Sequence, residues 1–346
     1  MSKSGYVATA LFLGAVGAAA LVTYLVFSPT EIFAPPRMVS IRKGDSMTVA
    51  ARKLAQAGVV RDRMAFAVYA KVTGGAKRVK PGDYAFKGGE AMPQVLTHLV
   101  NGDFMVVTVI IPEGMTVHQI GARLEQQGLV CENEFDAAAR GGPIVAALGL
   151  GPLGAEGFLF PATYRFSPLA SRDSILKAML GRFYEVLTPA IEERMFQLNL
   201  TAREMVTMAS IIEKEAKVAS ERPEIASVFY NRLKLGMPLQ SDPTAQYNLQ
   251  GESQRAATAV RMPSAFNTYD IAGLPPGPIA NPGLPSIKAA LYPADTDYLY
   301  FVARDDGTHI FSRTFAEHQR AIAEIKRMNA ARRGAKDQVV PQSSGS

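Results

Sequence analysis

The sequence predicts an α+β protein in three parts: an N-terminal transmembrane helix, a small α+β module and a larger mixed α+β domain. Three observations carry this reading. Gly5 to Phe27 is apolar or small throughout and carries no charge. Short strand patterns then alternate with helical patterns that open on hydroxyl caps and close on glycines. Near the C-terminus, two aromatic β-type runs flank Asp306-Gly307, the signature of a hairpin.

Gly5–Phe27 would span roughly 34 Å as a helix, enough for the roughly 30 Å of a bilayer core. Leu21 to Phe27 continues apolar past the small residues Ala18–Ala20, which favours an uncleaved anchor over a signal peptide. Lys3 precedes the span, so the charge rule leans towards a cytoplasmic N-terminus with residues 1–4 as a short tail. Residues 28–37, with Pro29, Pro35 and Pro36, read as a linker.

Residues 38–104 read as the small module. Met38–Ile41 alternates like a strand, Gly44 turns, and a helix runs from Thr48 to Ala57 before Gly58. A second helix covers Arg63–Val72, Tyr84–Phe86 is a short strand, and a third helix follows Pro93 and closes at Gly102. This pattern is similar to LysM-type modules, which bind glycan chains in shallow grooves. A spacer role fits the same pattern. A weak internal repeat links MTVAARKLAQAGVV, from Met47, with MTVHQIGARLEQQGLV, from Met115.

Residues 105–333 form the larger domain. Val106–Ile111 is a buried-type strand, and Pro112-Glu113-Gly114 turns into a helix from Thr116. The aromatics of EGFLFPATYRF, from Glu156, read as core. Helices cover Ser171–Leu187 and Pro189–Gln197. Thr201-Ala202-Arg203-Glu204 is a capping box, and the helix it opens runs through ASIIEKEA. In that helix Glu213 and Glu215 point about 200° apart, and both faces around them are apolar or small. At least one carboxyl must therefore be buried, which is costly for its charged form and suits a general acid of glycosidic cleavage. The competing reading is an ion pair with Lys217, Arg222 or Arg232. Periodicity does not choose between the two glutamates.

Ser220 reads as the cap of a further helix with Pro223 in its first turn, ended by Gly236. Asp242-Pro243 is turn-forming. Ile271–Ser286 carries five prolines and three glycines and reads as a packed, rigid binding loop. Tyr298–Val302 and His309–Phe311 form the hairpin, and Thr314 to Glu317 caps the last helix. Residues 334–346 are polar and expected to be disordered.

Other classes find little support. The net charge of +6 is spread thinly, without the basic cluster of a nucleic-acid protein. The four histidines are scattered, so no metal is expected, and no nucleotide-binding fingerprint implies a cofactor. Cys131, the single cysteine, excludes an internal disulfide.

Four stretches resemble the YceG-like endolytic murein transglycosylases: MASIIEKEAKVASERPEIASVFYNRLKLGMPLQSDPT from Met208, EGFLFPATYRF, FNTYDIAGLPPGPIANPG from Phe266, and YLYFVARDDGTHIFSRTFAEH from Tyr298. The resemblance implies a single-pass protein of the bacterial inner membrane with its catalytic part outside the cytoplasm. It implies endolytic cleavage of nascent peptidoglycan between N-acetylmuramic acid and N-acetylglucosamine, ending strand growth beside the synthases. It makes Glu213 the catalytic residue and leaves Glu215 a structural one. Family members often carry Thr where this chain has Ser241. Gln240, Ser241, Asp242, Thr244, Asn267, Thr268 and Tyr269 become candidate sugar contacts. Each also fits a loop-stabilising role, and an Asx-turn role suits Asp242 in particular. Two alternatives stay open: an inactive peptidoglycan-binding scaffold, and a hydrolase that uses Asp242 to activate water or form a glycosyl-enzyme.

Overall fold

A computed structural model of the chain describes residues 3–247 and 259–337, with side chains described from Leu11 to Ala331. The chain divides into two compact units: Met1–Thr108 with Arg165–Ala170, and Val109–Tyr164 with Ser171–Ser346. Both are mixed α+β, as expected.

The first unit begins with α1 (Lys3–Phe27), where the anchor was expected. Among the described residues no helix is long and apolar enough to cross a membrane; only the part of α1 from Leu11 onward bears on this. Next come β1 (Ile32–Ile41), α2 (Met47–Gln56), α3 (Arg63–Val72), β2 (Gly82–Gly88) and α4 (Met92–Asn101). β1 reaches back into the expected linker. Pro35 and Pro36 are tolerated because the antiparallel register with β2 breaks between Ile32 and Arg37, where no ladder N–H is needed. Side chains from every element interleave: Val39 and Ile41 of β1, Leu54 of α2, Phe66 of α3, Tyr84 and Phe86 of β2, and Leu99 of α4 are all buried. The Tyr84 hydroxyl donates to the carbonyls of Lys80 and Leu99, so this ring enters the core with its polar tip satisfied.

β3 (Val107–Ile111) leads to α5 (Val117–Gln126), α6 (Glu132–Gly141) and α7 (Pro143–Ala147), and β4 (Ala162–Phe166) pairs with β3. β4, α6 and α7 are additions to the predicted set. The repeat seen in sequence is a repeat of form. Each copy follows a strand, and the Ser46 and Thr116 hydroxyls cap α2 and α5 by accepting the Val49 and Gln119 N–H groups.

Helices α8 (Arg172–Val186) and α9 (Pro189–Gln197) precede α10 (Ala202–Glu215), the centre of the second unit. The Thr201–Glu204 capping box starts α10 as predicted. Met205 through Ile212 are all buried, because α10 packs against both α11 (Arg222–Lys234) and α13 (Leu284–Leu291). It stops at Glu215, where Ala216 turns to extended backbone. Ser220 does not cap α11. A 3₁₀ turn, Ala219–Glu221, precedes that helix, and Glu221 instead accepts from the backbone N–H of His309 and contacts its ring nitrogen at 2.7 Å.

Two helices stand where turns and loop were expected: α12 (Asp242–Gln246) and α13. Both have proline in their first turn, where its missing N–H costs nothing. β5 (Tyr300–Ala303) and β6 (His309–Ser312) form the predicted hairpin, with Phe301 opposite Phe311. α14 (Phe315–Asp337) starts at its predicted cap, with Glu317 N–H on the Thr314 hydroxyl. It continues past Gly334, where disorder was expected; the rest of that tail lies outside the described residues.

Candidate active site

Glu213 sits two residues before the end of α10, with its side chain only 7% exposed. Both carboxyl oxygens are engaged. Arg222 Nη2 donates to Oε1 at 3.1 Å, and the Gly283 backbone N–H donates to Oε2 at 3.0 Å. Of the three cations considered as ion-pair partners, Arg222 is the one present. Arg232 instead spends its guanidinium on the carbonyls of Leu299, Pro238 and Leu239 and on Gln240. Arg222 is itself fixed by donation from Nε to the Ser286 hydroxyl at 2.9 Å. The site is therefore built from the last turn of α10, the first residue of α11 and the entry to α13. Gly114 lies beside Glu213, and its φ of +77° turns the chain between β3 and α5 so that Glu113 reaches the same place.

On the other side of α10, Glu215 is largely but not wholly buried. Among the described residues its hydrogen bond comes from the Ser241 hydroxyl, at 2.5 Å. Burial pushes this carboxyl up to about 7; the Ser241 hydrogen bond pulls down, and the charge of Asp242 pushes up. The two glutamates thus occupy separate surroundings, as their angular separation on the helix requires.

The seven candidate sugar contacts fall into two groups. Ser241, Thr244, Asn267 and Thr268 are fully buried and bond to one another or to nearby backbone. Thr268 Oγ1 accepts from the Ser241 N–H and lies 2.8 Å from Thr244 Oγ1. Asn267 donates to the carbonyls of Val260 and Met262 and to Asp270. These four hold the segment around 241 against the one around 267. Gln240 and Asp242 are exposed and Tyr269 half-buried. Gln240 takes a φ of +53°, while its N–H bonds the Thr268 carbonyl. The Tyr269 hydroxyl donates to Asp242 at 2.6 Å, so this tyrosine rather than an Asx turn engages the aspartate.

Sequence patterning does not single out a third carboxyl in this region, Glu156, which is buried. Glu156 accepts from the Val117 N–H, the Tyr247 hydroxyl and Asn281 Nδ2. Burial pushes it up to about 7, against the hydrogen bonds from Val117 and Tyr247. Asn281 also donates to the Met115 carbonyl and accepts from the Leu159 N–H. The Gly114 N–H in turn bonds the Asn281 carbonyl at 2.8 Å. Asn281 thereby fixes the Glu113–Gly114 turn beside Glu213. In sequence Glu113 reads only as part of a turn, and Gly283 acts through its backbone, which no side-chain pattern reveals. Among the described residues no group of three or more histidine, cysteine, aspartate or glutamate side chains could hold a metal ion.

A carboxyl near the end of a largely buried helix, with an arginine on one oxygen and a backbone amide on the other, stands at the centre of an α+β frame. The chain belongs to the YceG-like family, which it matches over residues 39–324. It is 33% identical over 302 residues to an endolytic murein transglycosylase of Bacillus subtilis, covering 82% of this chain and 83% of that one. It is 31% identical to an endolytic murein transglycosylase of Streptococcus pneumoniae, covering 83% of this chain and 58% of that longer one. A crystal structure of a yceG-like protein from Listeria monocytogenes matches with a TM-score of 0.58 at 31% identity, over 83% of this chain and 99% of that chain.

Proposed function

We propose that this protein is an endolytic lytic transglycosylase that cuts the bond between N-acetylmuramic acid and N-acetylglucosamine in nascent peptidoglycan strands. The observation that carries this reading is the setting of Glu213, a carboxyl held on one oxygen by Arg222 and on the other by the Gly283 amide, in a chain similar to proteins named for that activity. Protonated Glu213 donates to the glycosidic oxygen as the C1–O bond breaks. The resulting carboxylate takes the proton of the muramic acid C6 hydroxyl, whose oxygen closes onto C1. The product ends in a 1,6-anhydro ring, no water is consumed, and Glu213 regains its proton.

Gln240, Asp242 and Tyr269, the accessible members of the candidate set, are the side chains proposed to meet sugar. The buried four set their position. The apolar stretch Gly5–Phe27 is proposed as a single-pass anchor in the bacterial inner membrane, N-terminus in the cytoplasm. The exposure of Leu11, Phe12, Leu13, Val16, Leu21 and Val22 along α1 supports it. The catalytic part then lies on the outer side, beside the synthases whose strands it terminates. Residues 38–104 are proposed as a LysM-like glycan-binding module, using the groove lined by Met38, Ser40, Arg42, Lys53 and Gln56.

Hydrolysis is the second reading. It is favoured by the exposed Asp242, whose carboxylate Tyr269 orients. Mass spectrometry of peptidoglycan digested by the full chain separates the two. Anhydro-ended fragments from the parent and none from Glu213→Gln are expected. Reducing-end fragments, one water heavier, would replace transglycosylation by hydrolysis. Undiminished product from Glu213→Gln would remove Glu213 from the chemistry.

A further inference from the structure

Arg222 is 11% exposed and has two carboxylates within reach of one nitrogen. Its Nη2 lies 3.1 Å from Glu213 Oε1 and 4.0 Å from Glu113 Oε2. Glu113 stands at the turn before α5, 44% exposed. It packs so closely against Gly283 that a Cβ there would overlap its carboxyl. The other charged groups around Glu113 are few among the described residues. From α10 come Glu213 and Lys214, whose ammonium bonds the Gly114 carbonyl, and from α11 comes Arg222. The entry to α13 brings only Gly283 and Ser286, neither charged.

The proposed reaction needs Glu213 to begin with a proton. Protonation removes the charge that balances Arg222, and a buried cation without a counter-charge is strongly destabilising. A second anion beside the guanidinium offsets that cost. Glu113 is the one carboxylate besides Glu213 that approaches the guanidinium among the described residues.

We propose that Glu113 is a positioning residue that takes over Arg222 while Glu213 carries its proton, and returns it once that proton has gone to the glycosidic oxygen. This rests on the reading of Glu213 as the acid. The exchange makes no new covalent bond. Proton on Glu213, guanidinium on Glu113; proton transferred, guanidinium back on Glu213; proton recovered from the C6 hydroxyl, guanidinium again on Glu113. The electrostatics run the same way. Burial first, then the charge of Glu213, pushes the Glu113 carboxyl up, while Arg222 pulls it down. Neutralising Glu213 removes the repulsion and leaves the attraction. Half-open to solvent, Glu113 can hold the charge at less cost than a buried group.

The test is the pH dependence of kcat and KM for the full chain in mild detergent on purified glycan strands, with Glu113→Gln, Glu113→Asp and Glu213→Gln beside the parent. In Glu113→Gln the fall in kcat towards high pH is expected to begin about one pH unit lower. That variant should lose at least about tenfold in kcat near neutrality, recover most of it in acid, and keep KM nearly unchanged. Glu113→Asp should lie between it and the parent. A merely structural role would lower kcat by the same factor at every pH, and that outcome overturns the proposal. So does a parent-like profile in both Glu113 variants with Glu213→Gln inactive. If Glu113→Gln does not fold, the Asp variant decides, since its limb must still move. An active Glu213→Gln overturns the assignment of Glu213 itself and the proposal with it.

Discussion

Replacing Glu215 by glutamine isolates a single buried proton. The glutamine amide oxygen still accepts the Ser241 hydroxyl that now bonds the carboxyl at 2.5 Å, so little changes except the ability to ionise. In the folded protein burial carries this carboxyl from 4.5 to about 7. The folded state thus binds the proton more tightly than the unfolded one, so this stabilising contribution is full below about pH 4.5. It is lost progressively as the pH rises through about 7. At roughly 1.4 kcal/mol per pH unit, the window is worth about 3 kcal/mol. Parent and Glu215→Gln should differ by a constant amount in acid and diverge from there, until above neutrality the variant has gained about 3 kcal/mol. The chain has no tryptophan, so urea titrations followed by far-UV circular dichroism at a series of pH values are the assay. A difference that stays flat across the window would refute the argument, because Glu215 would then titrate alike in both states. Anhydro product should persist in this variant, unlike in Glu213→Gln.

Two further substitutions test the frame around α10. Gly157 has a φ of +86°, and a Cβ there would come within 2.5 Å of Pro278 and 2.6 Å of Val206; Gly157→Ala should cost about 3 kcal/mol, read as a lower urea midpoint. Thr201→Ala removes the hydroxyl that accepts the Glu204 N–H and should cost about 1 kcal/mol with kcat unchanged, since the cap lies at the far end of α10 from Glu213.

The sequence made α10 legible because its signals are local. A capping box opens it, and apolar residues on every side mark it as central. Its end was less legible, since Ala216 is neither glycine nor proline and the chain leaves the helix under tertiary constraint. α13 was hidden for another reason. Gly283 and Pro285 read as loop formers in sequence, yet a proline in the first turn is also how helices begin. In the site, hydroxyls and amides marked Ser241, Thr244, Asn267 and Thr268 as sugar contacts, but the same groups satisfy buried backbone, and burial decides which role they take. Arg222 could be narrowed only to one of three cations, because its partner lies across a chain reversal. Glu113, a hundred residues before Glu213, leaves no local trace of their shared arginine.

Asn281 gives the site a place in time as well as in space. Its backbone and side chain join the Gly114–Met115 turn to Glu156 and Leu159, contacts that close loops of well over a hundred residues. Contacts so far apart in sequence are of the kind that slow folding. A nascent chain that has emerged only as far as α12 already contains Glu213, Arg222 and Glu113, but lacks the amide of Gly283 and the amide of Asn281 that set them. The setting of the proposed acid is thus complete only once the chain has been made as far as the entry to α13, well after Glu213 itself.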